Sequence, residues 1–279
     1  MKKFQMPRVI ERSYARAIDR LMQGLKRELV HVASPFFIAD VLRRLARSPT
    51  FRKACEQLAR NMATHLFRDG HKTWRAAAAE GSRGRMIYNA LKRELSSPQV
   101  ASTYQGIISR NAELIRSMPL DIAEKVTHKV IVGYETGKRP EALIEDILQE
   151  YPHMTEAHAR LIARTETSKA STALTQVRAA EAGLEWYVWR TCEDSRVRSA
   201  HEHMEGVVIP WSEAPAPEVL NHEKSQGHYH AGNIYNCRCY PEPLIRFDQV
   251  AWPAKVYRNG RVERLTLNQF KRLLPGGEL

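Results

Sequence analysis

The residues best suited to chemistry are two cysteines, Cys237 and Cys239, separated by a single arginine. In an extended segment, side chains two residues apart point to the same side of the backbone. Two thiolates placed in this way converge readily on a soft divalent cation such as zinc. The spacing therefore predicts a metal site near the C-terminal end of the chain.

Further ligands lie upstream of this pair. Asp194 is a good N-cap for a short helix over residues 195–204, and in that helix His201 shares the inward face with other buried positions. Cys192 stands just before the same helix. An inward histidine is more often a core residue than a ligand, but the nearby thiols favour ligation. We therefore predict a structural zinc held by Cys192, His201, Cys237 and Cys239.

The same region could instead be an active site. Metal-dependent nucleases arrange acidic residues, histidines and an asparagine around a divalent ion. Side chains of these types are available here at Asp194, His201, His203, Asn221, His222, His228, His230 and Asn233. However, His201-Glu-His203 does not have the His-Glu-x-x-His spacing, and thiolates favour a closed structural site. We expect no enzymatic activity, and a metal-dependent nuclease or toxin-like effector is the alternative.

The elements before the cysteine region are expected to be helical. Apolar residues recur at helical spacing over residues 8–30, and Ser34-Pro35 and Ser48-Pro49 are typical helix starts. The glycines between residues 68 and 85 predict a break between helices. Pro119 is expected to begin a new helix, and separate helices are expected over residues 140–148 and 155–182. Cys55 fits a small apolar residue on a helical face.

The pattern changes after Gly183, where residues 184–189 and 206–209 favour strands. Residues 210–235 show no helical or strand periodicity of apolar residues, and an irregular loop of that length needs an additional contact, such as a bound metal, to hold it in place. Asn259-Gly260 predicts a tight hairpin, followed by a terminal helix over residues 267–274. The expected fold is α+β, with a mainly α-helical N-terminal two-thirds and a small C-terminal β-containing module stapled by metal. We divide the chain into a basic helical region (1–100), a second helical region (101–183), the α+β module (184–247) and a hairpin with a terminal helix (248–279).

Positive charge is concentrated near the N-terminus. Residues 1–100 contain 21 Lys and Arg against 8 Asp and Glu, an excess of 13, whereas the whole chain has a formal net charge of +12. Residues 101–279 therefore sum to about −1. This asymmetry fits sequence-independent contacts with DNA phosphates, and equally the solvated face of a helical domain. With no apolar run long enough for a membrane span and no secretory core, we expect no membrane partner and no export.

A set of residues spread over the second half of the chain resembles the phage Mu F-like head morphogenesis family, whose members are minor head proteins. The matching residues occur in the family's order and spacing, and they are Ile162-Ala-Arg164-Thr-Glu166, Gly183, Trp189, Thr191, Asp194, Arg196, Arg198, His201, Gly206 and Asn236-Cys237-Arg238-Cys239. The resemblance covers about residues 105–245.

This resemblance implies a tailed-bacteriophage protein that associates with the portal inside the procapsid and assists head assembly and DNA packaging or delivery. Implied partners are the portal, with scaffold or major capsid protein as further candidates, and packaged DNA through the basic N-terminal region. The implied location is the virion, in the head interior or near the portal, after synthesis in the host cytoplasm. Many relatives have Cys-Pro-x-Cys where this chain has Arg198-Ser-Ala-His201, and Cys and His interchange naturally at a zinc ligand. The fourth ligand then lies among Cys192, Asp194, His203, His228 and His230.

Overall fold

The computed structural model describes residues 4–80 and 83–274, and they form two compact units. One unit contains Arg8–Thr64 and Gln105–Arg164; the other contains the described residues up to Pro7, His65–Tyr104 and those from Thr165 onward. Both units are discontinuous in sequence, whereas the four segments drawn from composition are continuous. The four-part division therefore stays a prediction.

The described chain contains six longer helices, three helices of four or five residues and one sheet, which confirms the α+β class. The longer helices are α1 (Arg8–Leu29), α2 (Pro35–Arg47), α3 (Pro49–Glu80), α4 (Gly84–Arg93), α5 (Pro98–Glu135) and α6 (Pro140–Glu181). The short ones are α7 (Ser199–His203), α8 (Pro217–Leu220) and α9 (Leu267–Lys271). Short 3-10 turns occur at Glu94–Ser96 and Phe247–Gln249. None of the described helices is long and apolar enough to cross a membrane.

The all-helical unit is built from α1, α2 and parts of α3, α5 and α6. The predicted helix starts at Pro35 and Pro49 are confirmed, because Pro is favoured in the first turn, where its missing N–H leaves no bond unmade. Polar contacts fix the helices to one another. The Tyr14 hydroxyl donates to Asn111 Oδ1 over 3.0 Å, and the buried Tyr151 hydroxyl donates to the carbonyl of Met22 over 3.0 Å.

Three predicted helix boundaries were wrong. Of the break expected over residues 68–85, the part at Asp69-Gly70 is not observed, because α3 runs through Gly70 to Glu80, whereas a new helix does begin at Gly84. Pro119 lies inside α5 and does not begin a helix, and α6 is continuous through Pro152, where two helices were expected. An interior proline costs about 3 kcal/mol of helix stability. In α5, the buried apolar residues Ile115, Met118 and Ile122 lie on both sides of Pro119, and their packing offsets this cost.

The second unit contains a five-stranded sheet in the order β3-β1-β2-β4-β5. The strands are β1 (Trp186–Arg190), β2 (Val208–Pro210), β3 (Tyr240–Pro243), β4 (Ala254–Arg258) and β5 (Arg261–Leu265). β1 is antiparallel to β2 and β3, β2 is parallel to β4, and β4 is antiparallel to β5. The Asn259-Gly260 hairpin is confirmed, with both residues at positive φ and both backbone N–H groups donating to the carboxylate of Glu213.

Strand β1, an interior strand of the sheet, separates two apolar cores. Tyr187 and Trp189 pack in a cluster that also contains Cys237 and Cys239. Trp186 and Val188 pack in a different cluster with Phe270 of α9. Successive side chains of a strand point to opposite faces of the sheet, so Tyr187 and Trp189 face one core and Trp186 and Val188 face the other. One face of the sheet therefore supports the cysteine region, and the other supports the C-terminal elements.

Candidate metal centre

The cysteine segment is anchored to the sheet and to α6. Cys237 and Cys239 lie immediately before β3, and the backbone N–H of Asn236 donates to Thr165 Oγ1 over 2.9 Å. Gly232, at a φ of +82°, allows the preceding loop to approach α6 closely. A Cβ at this position would lie 2.7 Å from Thr172 Oγ1 and 2.8 Å from the carbonyl oxygen of Cys239. A side chain there would push the cysteine segment away from the helix.

His201 reaches the same place from α7. The helix is shorter than predicted, beginning at Ser199 with Arg198 as its N-cap residue, so Asp194 does not cap it. Nevertheless, the predicted inward orientation of His201 is confirmed, because its exposed fraction is only 2%. Asp194 instead accepts a hydrogen bond from the backbone N–H of Arg196 within the preceding turn.

His201, Cys237 and Cys239 form a compact set of three metal-ligand side chains. His201 Nδ1 lies 3.5 Å from the sulfur of Cys237 and 3.5 Å from that of Cys239, and the three ligand atoms lie within 4.8 Å of one another. With zinc bonds of about 2.3 Å to sulfur and 2.0–2.1 Å to nitrogen, a tetrahedral site has a nitrogen-to-sulfur edge of about 3.5 Å. The two observed nitrogen-to-sulfur distances match this edge.

The two thiols interact electrostatically. A hydrogen bond from the Cys239 thiol toward the sulfur of Cys237 lowers the pKa of Cys237 well below its usual value. The same hydrogen bond, together with burial, raises the pKa of Cys239. One of the two thiols therefore loses its proton more easily than the other, and a divalent cation would bind both as thiolates.

The surroundings of the thiols also fit a cation. The indole N–H of Trp189 is buried and is directed toward the sulfur of Cys239. Its ring lies 5.5 Å from that of His201, in the same apolar cluster as both cysteines. Metal-bound thiolates are good acceptors for such a donor.

The fourth predicted ligand, Cys192, lies close to this set but outside it. It is partly buried and lines a cavity of about 70 Å³ together with His201, Cys237 and Cys239. The thiol of Cys192 is directed toward the carboxylate of Asp194. The structure thus brings three of the four predicted ligands together and places the fourth on the wall of the same cavity.

Asp194 is engaged by arginine. Arg238 donates to both carboxylate oxygens, with Nη2 2.6 Å from Oδ1. These hydrogen bonds hold the pKa of Asp194 well below its usual value. Arg238 stands between the two cysteines, so this clamp ties the cysteine segment to the turn before α7. A carboxylate committed in this way is poorly placed to bind a metal or to act as a base.

The other histidines considered as ligands lie outside the three-residue set. His203 is exposed on α7, and His228 is exposed, with Nδ1 bonded to the carbonyl of Ala214 over 3.0 Å. His230 is buried, and its Nδ1 lies 3.2 Å from the hydroxyl of Tyr187. Burial lowers the pKa of His230 to about 4.

Two residues near the site were missed from the sequence. Tyr229 contacts His201 Nε2 through its hydroxyl over 3.0 Å, and the buried carboxylate of Glu218 accepts a hydrogen bond from the same hydroxyl. Neither residue has a fixed spacing from the cysteines that would reveal it. A glutamate within an apolar turn, Pro217-Glu218-Val219-Leu220, was the only available signal.

Comparison with known proteins agrees with the resemblance in the sequence. Residues 124–241 match a family model described as "Phage Mu protein F like protein". This segment is similar to the Mu F-like family. It runs from the last turns of α5 through α6 and β1 to the first residues of β3, so it contains His201, Cys237 and Cys239.

The chain also resembles an uncharacterized protein of Haemophilus influenzae, with 29% identity over 150 residues. The aligned region is 54% of this chain but only 31% of that protein. The chain thus spans about a third of the relative's length. No solved structure matches the chain significantly.

Proposed function

We propose that this chain is a minor head protein of a tailed bacteriophage and that it takes part in head morphogenesis. The observation that carries the proposal is the Mu F-like match over residues 124–241. The match includes the long helix α6 and the candidate metal centre. It therefore covers the residues from Ile162 to Cys239 that carry the resemblance in the sequence.

In more detail, we propose that the protein joins the procapsid next to the portal and assists DNA packaging or delivery. The portal is the primary partner, and scaffold or major capsid protein are further candidates. This part of the proposal is based on the family resemblance. It places the protein in the virion, in the head interior or near the portal.

The test is to follow a tagged chain in cells that produce the phage. Heads and procapsids are separated by sedimentation, and contacts are identified by chemical cross-linking and mass spectrometry. We expect the chain to sediment with procapsids and to cross-link to the portal. Recovery of the chain only in the free cytoplasmic fraction, from cells that contain assembled procapsids, would refute the assignment.

We further propose that the module carries a structural zinc ion held by His201, Cys237 and Cys239, with Cys192 as the fourth ligand. The support is the tetrahedral spacing of the first three ligand atoms and the position of Cys192 on the same cavity. A bound zinc would link α7 to the cysteine segment and so close the long loop between β2 and β3. Cys192 would have to turn from Asp194 toward the other sulfurs.

A DNA contact is proposed for the exposed face of α1. Arg8, Arg12, Arg16 and Arg20 recur every fourth residue and are all exposed, so they form a stripe with a repeat of about 6 Å. None of the four forms an ion pair with a residue in the described ranges, whereas Glu11 pairs with Arg164. A row of exposed guanidinium groups is suited to phosphates, independent of base sequence.

We propose no enzymatic role. The metal-dependent nuclease or toxin-like effector considered above would use Asp194 and His201. Asp194 is occupied by Arg238, and His201 faces two buried thiols. These contacts support a role in holding the module together and give no specific support to catalysis.

A further inference from the structure

Behind the candidate metal centre, three buried polar side chains form a continuous line. Glu218 of α8 has an exposed fraction of 1%, Tyr229 has 6% and His201 has 2%. The Tyr229 hydroxyl donates to Glu218 Oε1 and lies 3.0 Å from His201 Nε2. On the other side of the imidazole ring, Nδ1 faces the two sulfurs.

The number of available protons decides the direction of each hydrogen bond. A tyrosine hydroxyl has one proton, and a carboxylate can only accept. Because Tyr229 donates its proton to Glu218, it can only accept a hydrogen bond from His201. The imidazole must therefore carry its proton on Nε2, and a neutral imidazole then has a free lone pair on Nδ1. That lone pair points at Cys237 and Cys239.

The backbone holds the three groups in place from separate elements. The N–H of Tyr229 donates to the carbonyl of Pro215 over 3.0 Å, which joins the two ends of the loop that contains Glu218. The second carboxylate oxygen of Glu218 is buried and has no hydrogen-bond partner in the part of the chain that the structure describes. Burial of a carboxylate with only one oxygen satisfied is costly, and such costs are typical of positions that serve a site.

From this line of contacts we propose that Tyr229 and Glu218 are positioning residues that fix the tautomer of His201, so that Nδ1 is prepared to bind a metal ion before the ion arrives. The consequence for metal affinity rests on the zinc site proposed above. The tautomer itself does not, because it follows from the hydrogen bonds of the metal-free chain. A histidine ligand generally donates its second ring N–H to an outer partner, and here a phenol lies between the ring and the carboxylate.

The tautomer is measured by nitrogen-15 NMR of the imidazole in the full chain, reduced and free of metal. We expect the proton of His201 on Nε2. A proton on Nδ1 would overturn the inference even if the protein binds zinc. Conversely, a proton on Nε2 in a protein that does not bind zinc would support the inference and remove the proposed metal site, so the two failures are distinguishable.

Metal affinity provides the second test, with zinc itself as the probe. Tyr229→Phe removes the hydroxyl, and we expect about 10–100-fold weaker zinc binding. Glu218→Gln is expected to have a smaller effect in the same direction, since its amide oxygen can still accept from Tyr229. Zinc affinity equal to that of the original chain in Tyr229→Phe would contradict the proposal.

The matched control is Tyr187→Phe. Tyr187 is buried in the same apolar cluster as Tyr229, but its hydroxyl contacts His230 and not His201. We expect this variant to keep both the zinc affinity and the His201 tautomer. An equal loss of affinity in both variants would mean that any buried hydroxyl lost from this core weakens the site, and the positioning role would be rejected. In each variant, the tautomer is measured on folded protein below its unfolding transition.

Discussion

The guanidinium group of Arg178 lies directly over Gly70, where a Cβ would overlap its Nη1. Arg178 is buried, forms an ion pair with Glu94 and donates to the carbonyl of Phe67 over 2.9 Å. The glycine in the middle of α3 therefore provides space for a buried ion pair. The same residue had suggested a break in the helix when only its local preference was considered.

Replacing Gly70 by alanine should destabilise the protein. The helix preference of alanine alone would stabilise α3 by about 0.5–1 kcal/mol. Displacement of the Arg178 side chain should exceed this gain, and we expect a net loss of about 1–3 kcal/mol in the free energy of unfolding. Denaturant unfolding measures the difference. Gly106→Ala in α5 is the matched control, because a Cβ there meets nothing within 4 Å, and it should stabilise. A Gly70→Ala protein that is more stable than the original chain would contradict the conclusion that Gly70 provides space for Arg178.

Removing the charge of Glu94 should be strongly destabilising. Glu94 and Arg178 are both almost fully buried, and burial lowers the pKa of Arg178. Glu94→Gln leaves a buried guanidinium group without its partner charge, at a cost of roughly 3–5 kcal/mol. Asp40→Asn breaks the exposed pair between Asp40 and Arg43 and should change the stability by less than about 1 kcal/mol. Similar effects of the two substitutions in denaturant unfolding would show that burial does not set the strength of the Glu94 pair.

Metal content is predicted to depend on the clustered thiols. We expect about one zinc per chain by elemental analysis, lost in Cys237→Ala and in Cys239→Ala together with thermal stability, because the loop between β2 and β3 loses its closure. Cys192→Ala should weaken zinc binding if Cys192 is the fourth ligand. Cys55 is buried in α3 with a pKa raised to about 12, mainly by burial, and Cys55→Ala should retain the metal. A metal-free purified protein that is as stable as its zinc-loaded form would contradict the prediction.

Stability should decrease in mild acid because of His230. Its pKa is about 4 in the folded chain, against an ordinary value of 6.5, so the unfolded chain takes up this proton first as the pH falls. The stabilising contribution of neutral His230 is complete above pH 6.5 and is lost as the pH falls toward 4, with a total on the order of 3 kcal/mol. In His230→Gln this part of the pH dependence should disappear, whereas it should persist in His228→Gln, which alters an exposed histidine of the same loop. Unfolding measured between pH 4 and 7 compares the three proteins, and an unchanged slope in His230→Gln would reject the assignment.

The arginine stripe of α1 should control non-specific DNA binding. Changing Arg8, Arg12, Arg16 and Arg20 to glutamine should weaken binding to any duplex and reduce the salt dependence, since each phosphate contact contributes about −0.9 to the slope of log K against log salt. The control removes the same total charge from exposed positions elsewhere, at Lys224, Lys255, Arg261 and Arg264. Fluorescence anisotropy at several salt concentrations distinguishes the two variants. Equal losses would indicate that net charge matters and that the stripe has no special role.

The parts of the structure that were predictable from sequence depend on short-range rules. The spacing of Cys237 and Cys239, the inward face of α7 and the Asn259-Gly260 turn are all set within a few residues. The metal-ligand set was found for this reason, and three of its four members lie together. The zinc ion itself stays a prediction.

The parts that were missed depend on contacts distant in sequence. Pro119 and Pro152 lie within continuous helices because tertiary packing outweighs the local cost of proline, and Gly70 is explained only by Arg178, more than a hundred residues away. Tyr229 and Glu218 reach His201 from an aperiodic loop. No local sequence pattern predicts this contact with His201.

Strand β1 has a further consequence for how related chains can vary. Because Tyr187 and Trp189 face one core and Trp186 and Val188 face the other, the insertion or loss of one residue in this strand would exchange the two sets. Both cores would then be disrupted at once. Substitutions that alter the size of individual side chains in β1 are therefore easier to accommodate than a gain or loss of residues, which the connecting loops tolerate better.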